Sequence, residues 1–152
     1  MDPENNILWI KNRQAEALME NGQYEEVVYL IDRIFENNQE RYYLHDTRGL
    51  ACFYLGEYHA AVANFKKAIR LKPGLAKQHI HLYWACKRLA PEQPHRVEEG
   101  IKAVYSALEL GIMDNSAPQE KENFLEDIIL FCKEHEKDDD ALQFFSKYSE
   151  IK

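Results

Sequence analysis

A self-similar segment recurs along this 152-residue chain every 34 residues, and a fixed period of that length constrains the architecture more than any other feature. NGQYEEVVYLIDRIF (Asn21 to Phe35) lies over LGEYHAAVANFKKAI (Leu55 to Ile69) without a gap. Gly22 falls over Gly56, Tyr24 over Tyr58, Val27 over Ala61, Ile31 over Phe65 and Ile34 over Ala68. A third copy, VEEGIKAVYSALELG (Val97 to Gly111), puts Gly100, Val104 and Ala107 at the places of Ala61, Phe65 and Ala68, after five extra residues at PEQPH. A fourth and weaker copy, DDDALQFFSKYSEIK, has Ala141, Phe145 and Tyr148 there and follows the longer connection GIMDNSAPQ (Gly111 to Gln119). The cysteines keep the register: Cys52 and Cys86 are 34 apart, and Cys132 lies 46 beyond, which is 34 plus the five and seven inserted residues.

Each unit reads as two antiparallel helices. The predicted helices span roughly 4–20, 24–37, 41–55, 58–71, 75–89, 96–110, 119–135 and 139–150. Pro3 suits the start of the first, and Asp138 or Asp139 is the expected N-cap of the last. Ala61 and Ala68 let the second helix of a hairpin approach its neighbour closely, while Phe65 fills the space between them. One hairpin cannot bury its apolar face alone, so the hairpins are expected to stack into a curved array whose inner wall is formed by the first helices.

Composition limits what such an array does. The chain is 45% hydrophobic and 30% charged, with 6 Gly and 5 Pro, as befits a folded helical protein. A net charge of −7 argues against gripping nucleic-acid phosphates, which needs a strongly basic face. No window approaches a membrane span, and MDPENNILWI lacks the basic flank and apolar run of a signal peptide, so the expected location is cytoplasmic without membrane insertion. Three cysteines without a short-spaced pair give neither a disulfide framework nor a zinc signature, and buried, reduced thiols are expected.

With these residues in place, the chain resembles the tetratricopeptide repeat (TPR) family. Gly56, Tyr58, Ala61, Phe65, Ala68 and Pro73 match the family pattern in the second copy, and Gly49 matches the small residue of its first helix. His45, Arg48 and Cys52 depart from it, standing where the family has an aromatic, a leucine and a tyrosine. The resemblance implies an all-α, right-handed superhelical array of about eight helices. The expected organisation is one TPR-like domain over 1–152, with repeats at about 8–41, 42–75, 76–114 and 119–152.

No catalytic constellation has credible spacing. Ser106, Ser116, Ser146 and Ser149 lie outside any nucleophile elbow, and the glycines are scattered singly rather than in a phosphate loop. No enzyme activity, cofactor or metal is therefore expected. His45 and Cys52 recur as His79 and Cys86, but residues seven apart on a helix are about 10 Å apart along its axis, too far for one ion, so they read as packing positions. EHEKDDD (Glu134 to Asp140) lacks the alternating ligands and central glycine of a calcium loop and reads as a helix end and cap.

The inward face should carry Asn12, Arg13 and Glu16; Tyr43, Thr47, Leu50 and Tyr54; Lys77, His81, Trp84 and Arg88; and Asn123, Asp127 and Leu130. Its aromatic middle and basic third helix suit an extended or helical peptide with acidic or aromatic residues. The carboxylate clamp of co-chaperones in the family is not reproduced. Lys77 matches it and Asn12 sits where a lysine would, but Glu16, Thr47 and His81 replace the other members, and Glu16 would repel the carboxylate. Trp9 at one end and Phe144 and Ile151 at the other raise the alternative of contacts to a partner or to a second copy. The reading reached is a protein-binding adaptor or chaperone holding a partner segment in its groove; the alternative is an assembly subunit that oligomerises through its terminal helices.

Overall fold

The computed structural model describes residues 3–149, which form eight helices: α1 (Pro3–Glu20), α2 (Tyr24–Glu36), α3 (Tyr42–Tyr54), α4 (Tyr58–Leu71), α5 (Ala76–Leu89), α6 (His95–Glu109), α7 (Pro118–Glu134) and α8 (Asp138–Ser149). Each end falls within one residue of its predicted place, and there is no strand among the described residues. Helices pair as α1/α2, α3/α4, α5/α6 and α7/α8, and α2 packs on α3 as α4 packs on α5.

The turns inside the hairpins follow from backbone chemistry. α3 ends with Gly56 at φ 80°, a conformation that puts a Cβ too close to the backbone in other residues. The left-handed residue lets Glu57 N–H reach back to Cys52 C=O at 2.8 Å, satisfying a carbonyl that the helix end would leave unpaired. Gly22 does the same for α1, with Gln23 N–H on Leu18 C=O at 2.9 Å. In the last hairpin the equivalent residue is Glu136, at φ 58°, and Lys137 N–H still closes on Cys132 C=O at 2.8 Å. The motif survives there with a side chain in the strained position.

Between the two helices of a hairpin, one large residue meets one small residue, and the roles change hands along the chain. In the second hairpin Phe65 of α4 is fully buried and lies against Gly49 of α3; a Cβ built on Gly49 would sit 2.5 Å from the ring. In the third hairpin the Gly49 position is occupied by Tyr83, and space is returned from the other side: Gly100 and Val104 of α6 stand where Ala61 and Phe65 stood, and a Cβ on Gly100 would meet Tyr83 at 3.5 Å. In the fourth, the Gly49 position is Ile129, which leaves no slot for a ring in register with Phe65. The structure therefore departs from the repeat register in α8: Phe145 is exposed, and Phe144 turns in to stack on Tyr105 with ring centres 4.6 Å apart.

Two expectations change with that rotation. Phe144 is core rather than a terminal contact, and the apolar residues α8 presents to solvent are Leu142 and Phe145. Asp138 and Asp139 are not caps but lie with Asp140 inside the first turn of α8, where the helix dipole favours negative charge. Ile151 lies outside the described residues, as does the side chain of Tyr148.

Two clusters of buried residues form the core. One joins α1 and α2 to α3 through Leu8, Ala15, Val27, Ile31, Ile34, Leu44 and Ala51. The larger runs from Cys52 to Phe144. The fourth hairpin meets the third mainly through long side chains. Tyr83 packs edge-on against Phe131 at 5.5 Å and donates its hydroxyl to Asp127 at 2.9 Å, while Tyr105 on α6 donates to Asp140 at 3.0 Å. Lys87 adds an ion pair to Asp127.

Candidate binding face

The first helices α1, α3 and α5 are successive neighbours, and α7 meets α5 through the Tyr83, Lys87, Asp127 and Phe131 side chains, so residues one repeat apart form rows across their common face. Three of the residues expected to line it are buried between helices instead. Asn12 is 2% exposed, Thr47 6% and His81 2%. The reason is that adjacent first helices approach closely enough for these side chains to bridge them. Thr47 Oγ1 lies 2.9 Å from the Tyr43 carbonyl and 2.9 Å from the side-chain oxygen position of Asn12. A hydroxyl has one hydrogen, so Thr47 donates to the carbonyl and accepts from Asn12 with the amide turned over. One repeat on, His81 Nδ1–H donates to Asp46 Oδ1 at 2.8 Å. Asn12 and Asp46 are 34 apart, as are Thr47 and His81, so the two pairs are one polar contact used twice. The sequence shows only that these positions share a register, not that they bridge helices.

What remains open is an aromatic and cationic stripe. Tyr54, 53% exposed, ends α3 and stacks on Tyr24 of α2 with centroids 5.1 Å apart. Trp84, 38% exposed, rests 5.2 Å from the His81 ring and 6.4 Å from Phe53. Arg88 is exposed one turn further along α5, its guanidinium 5.8 Å from the Phe53 ring and 5.9 Å from Tyr58. A guanidinium resting on ring faces keeps its in-plane N–H donors available for a carboxylate. Each of the three is held by packing on its inner side, so little ordering entropy is left to lose on binding.

The flanks are less open than the sequence suggested. Leu50 is half-buried against the larger core cluster, and Tyr43 is half-buried with its ring edge-on to Trp9 at 6.1 Å. Lys77 is exposed, and Arg13 is exposed but paired with Glu16 at 3.3 Å. On α7, Leu130 and Asn123 are exposed, whereas Asp127 is engaged by Tyr83 and Lys87. Trp9 is exposed with Ile7 and Ile10 on α1.

Burial, reinforced by Glu99, pushes the Cys86 thiol up to about 12, and burial pushes Cys132 up to about 11, so neither supplies a thiolate near neutral pH. His45 stacks on Phe35 at 4.5 Å and His79 Nε2 lies 3.2 Å from the Pro73 carbonyl. Neither histidine joins a cysteine at a common site, and no cluster of three or more His, Cys, Asp or Glu side chains suited to a metal occurs among the described residues. No described helix is long and apolar enough to cross a membrane.

Comparison with known proteins agrees with this architecture. Residues 42–75, which are α3, α4 and their flanking turns, match the tetratricopeptide repeat family. No curated protein sequence matches the chain. Among solved structures, MamA (residues 41 to the end) from Desulfovibrio magneticus RS-1 superposes with a TM-score of 0.71 at 19% identity, over 93% of this chain and 73% of that one. MamA of AMB-1 gives 0.71 at 18% identity over 93% and 71%. YrrB, described as a TPR protein with an unusual peptide-binding site, gives 0.68 at 15% identity, over 91% of this chain and 65% of its own. The chain thus carries a tetratricopeptide repeat at residues 42–75, within eight helices that have the fold of TPR proteins.

Proposed function

We propose that this protein is a non-enzymatic interaction module, an adaptor or chaperone that holds a segment of another protein against the face of its first helices. The observation that carries this reading is the stripe of Tyr54, Trp84 and Arg88, three exposed side chains braced from behind by other rings. Braced aromatic and arginine residues are the types that dominate binding energy at protein interfaces. The likeness to YrrB, a TPR protein with a peptide-binding site, supports the same reading. Arg88 and Lys77 favour a segment with acidic residues, and Tyr54 and Trp84 favour one with apolar or aromatic residues.

The test is affinity capture from an extract of the protein's own cells, comparing the native chain with a Tyr54→Ala/Arg88→Glu variant that keeps its helical circular dichroism. The expected result is a partner retained by the native chain and lost by the variant. Identical captures overturn the groove reading. A second reading, assembly through the outer helices, has its own observation in the exposed Ile7, Trp9 and Ile10 of α1 and Leu142 and Phe145 of α8. It predicts that Trp9→Ala and Phe145→Ser change the sedimentation coefficient while the groove variant does not.

A further inference from the structure

At the edge of the binding face a cleft of about 450 Å³ opens between the starts of α3 and α5. Tyr42 and Tyr43 form one wall, the segment from Gly74 to Gln78 the other, and Asp46 and Leu110 complete the lining. Gln78 is 3% exposed, and its Oε1 has no hydrogen-bond partner. A buried carbonyl left unpaired is a standing cost that a donor brought from outside removes. Helix α5 begins in the same wall. Its N-cap residue is Leu75, and no side chain caps the amides of Ala76 and Lys77 in the first turn.

The charges around the cleft favour an anion. The exposed ammonium of Lys77 adds to the positive end of the α5 dipole, and Lys72 Nζ sits 4.8 Å over the Tyr42 ring. Asp46, the carboxylate in the lining, already accepts from His81 Nδ1–H at 2.8 Å. A ligand that satisfies both features carries a carboxylate for the amides and Lys77 and an N–H for Gln78.

We propose that this cleft anchors one acidic residue, Asp or Glu, of the segment bound on the face. Its side-chain carboxylate meets the first-turn amides of α5 and Lys77, its backbone N–H donates to the Gln78 amide oxygen, and its methylene stem lies along Tyr42 and Tyr43. The terminal torsion of a glutamine is broad, so the oxygen turns toward the cleft when a donor arrives. The site is not the co-chaperone clamp, since Thr47 and His81, at clamp positions, are consumed in buried helix-to-helix contacts. This inference deepens the groove reading and rests on it.

The test uses the ¹⁵N-labelled protein and three capped tripeptides, Ac-Gly-Glu-Gly-NH₂, Ac-Gly-Gln-Gly-NH₂ and Ac-Gly-Lys-Gly-NH₂, followed by amide chemical shifts. The glutamate peptide is expected to shift the Ala76 and Lys77 amides and the Gln78 side-chain NH₂ saturably, with affinity about tenfold above that of the lysine peptide. Lys77→Glu is expected to abolish that preference, and Gln78→Leu to weaken the glutamate peptide about threefold to tenfold. Gln78→Leu is also expected to raise the urea midpoint, because it removes an unpaired buried oxygen. Equal response to the lysine peptide, silence at Ala76 to Gln78, unchanged affinity in Gln78→Leu, or a lowered urea midpoint for that variant overturns the proposal. The two readings fail separately. Capture that depends on Tyr54 and Arg88 alongside silence at α5 sinks the cleft and spares the groove; glutamate binding at α5 alongside capture indifferent to Tyr54 and Arg88 does the reverse.

Discussion

Replacing Gly49 by alanine is expected to destabilise the protein although alanine is the better helix former. The added methyl would lie 2.5 Å from Phe65 Cε1, 2.7 Å from Cδ1 and 3.1 Å from Cζ, where ordinary contact begins at 3.4 Å. Relief requires the ring to move by about 1 Å, on the steep wall of the van der Waals potential. Phe65 has nowhere to go: it is fully buried, with the His81 ring 5.4 Å away on the side of α5. Overpacking a close-packed core costs about 1–3 kcal/mol, and this geometry belongs in the upper half of that range. Against it stands the helix-propensity gain of about 1 kcal/mol for alanine over glycine inside a helix. The net loss is about 1–2 kcal/mol, or a fall of about 2–8 °C in Tm for a chain of this size. Thermal unfolding followed by circular dichroism at 222 nm measures it. Gly74→Ala, with open space around its would-be Cβ, is the control and should change little. Adding Phe65→Leu should cost less in the Gly49→Ala background than in the native one. A Gly49→Ala protein as stable as the native chain, or additive single changes, would refute the account of α3 against α4.

Glu136→Gly is expected to stabilise the last hairpin by about 1 kcal/mol, because Glu136 holds φ 58° where the first two hairpins have glycine; a lower urea midpoint would show that its side chain contributes more than the strain costs. His45 predicts a pH dependence. Burial holds its pKa below the ordinary 6.5, opposed by Glu40 3.7 Å from Nε2 and by the nearby Asn64 amide, while Lys67 and Arg48 push the same way as burial. The unfolded chain therefore binds this proton first, so the stability due to a neutral His45 is complete above about pH 6.5 and is lost as pH falls below it. His45→Phe, which keeps a ring on Phe35, should be flatter than the native protein in urea midpoint between pH 7.5 and 5; parallel curves would exclude His45 as the group responsible.

The helices and their pairing were legible because they depend on short-range regularities. The spacing of Gly22 and Gly56, and of Ala61, Phe65 and Ala68, specifies where a helix ends, which way the chain turns and which face is apolar. None of that requires knowing what lies across the interface. The stripe of Tyr54, Trp84 and Arg88 was legible for the same reason, since repeat register alone puts those residues on the first helices.

Depth within the face was not legible. Asn12, Thr47 and His81 occupy the same register as open residues, and whether such a side chain meets solvent or a neighbour depends on how closely adjacent first helices approach. The same limit explains α8. Its own residues continue the pattern of the earlier copies, but which phenylalanine turns inward is decided by Ile129 on the opposing helix, where the second hairpin has Gly49. The unpaired oxygen of Gln78 belongs to the same class, because a lost partner is a property of the surroundings and not of the residue. The sequence by itself determined the periodic, local part of this protein: eight helices, their turns and the row of residues each presents. Only the tertiary structure decided which members of each row are consumed in holding neighbours together and which are left for a ligand, because side-chain volume and hydrogen-bond pairing are settled between helices and not along them.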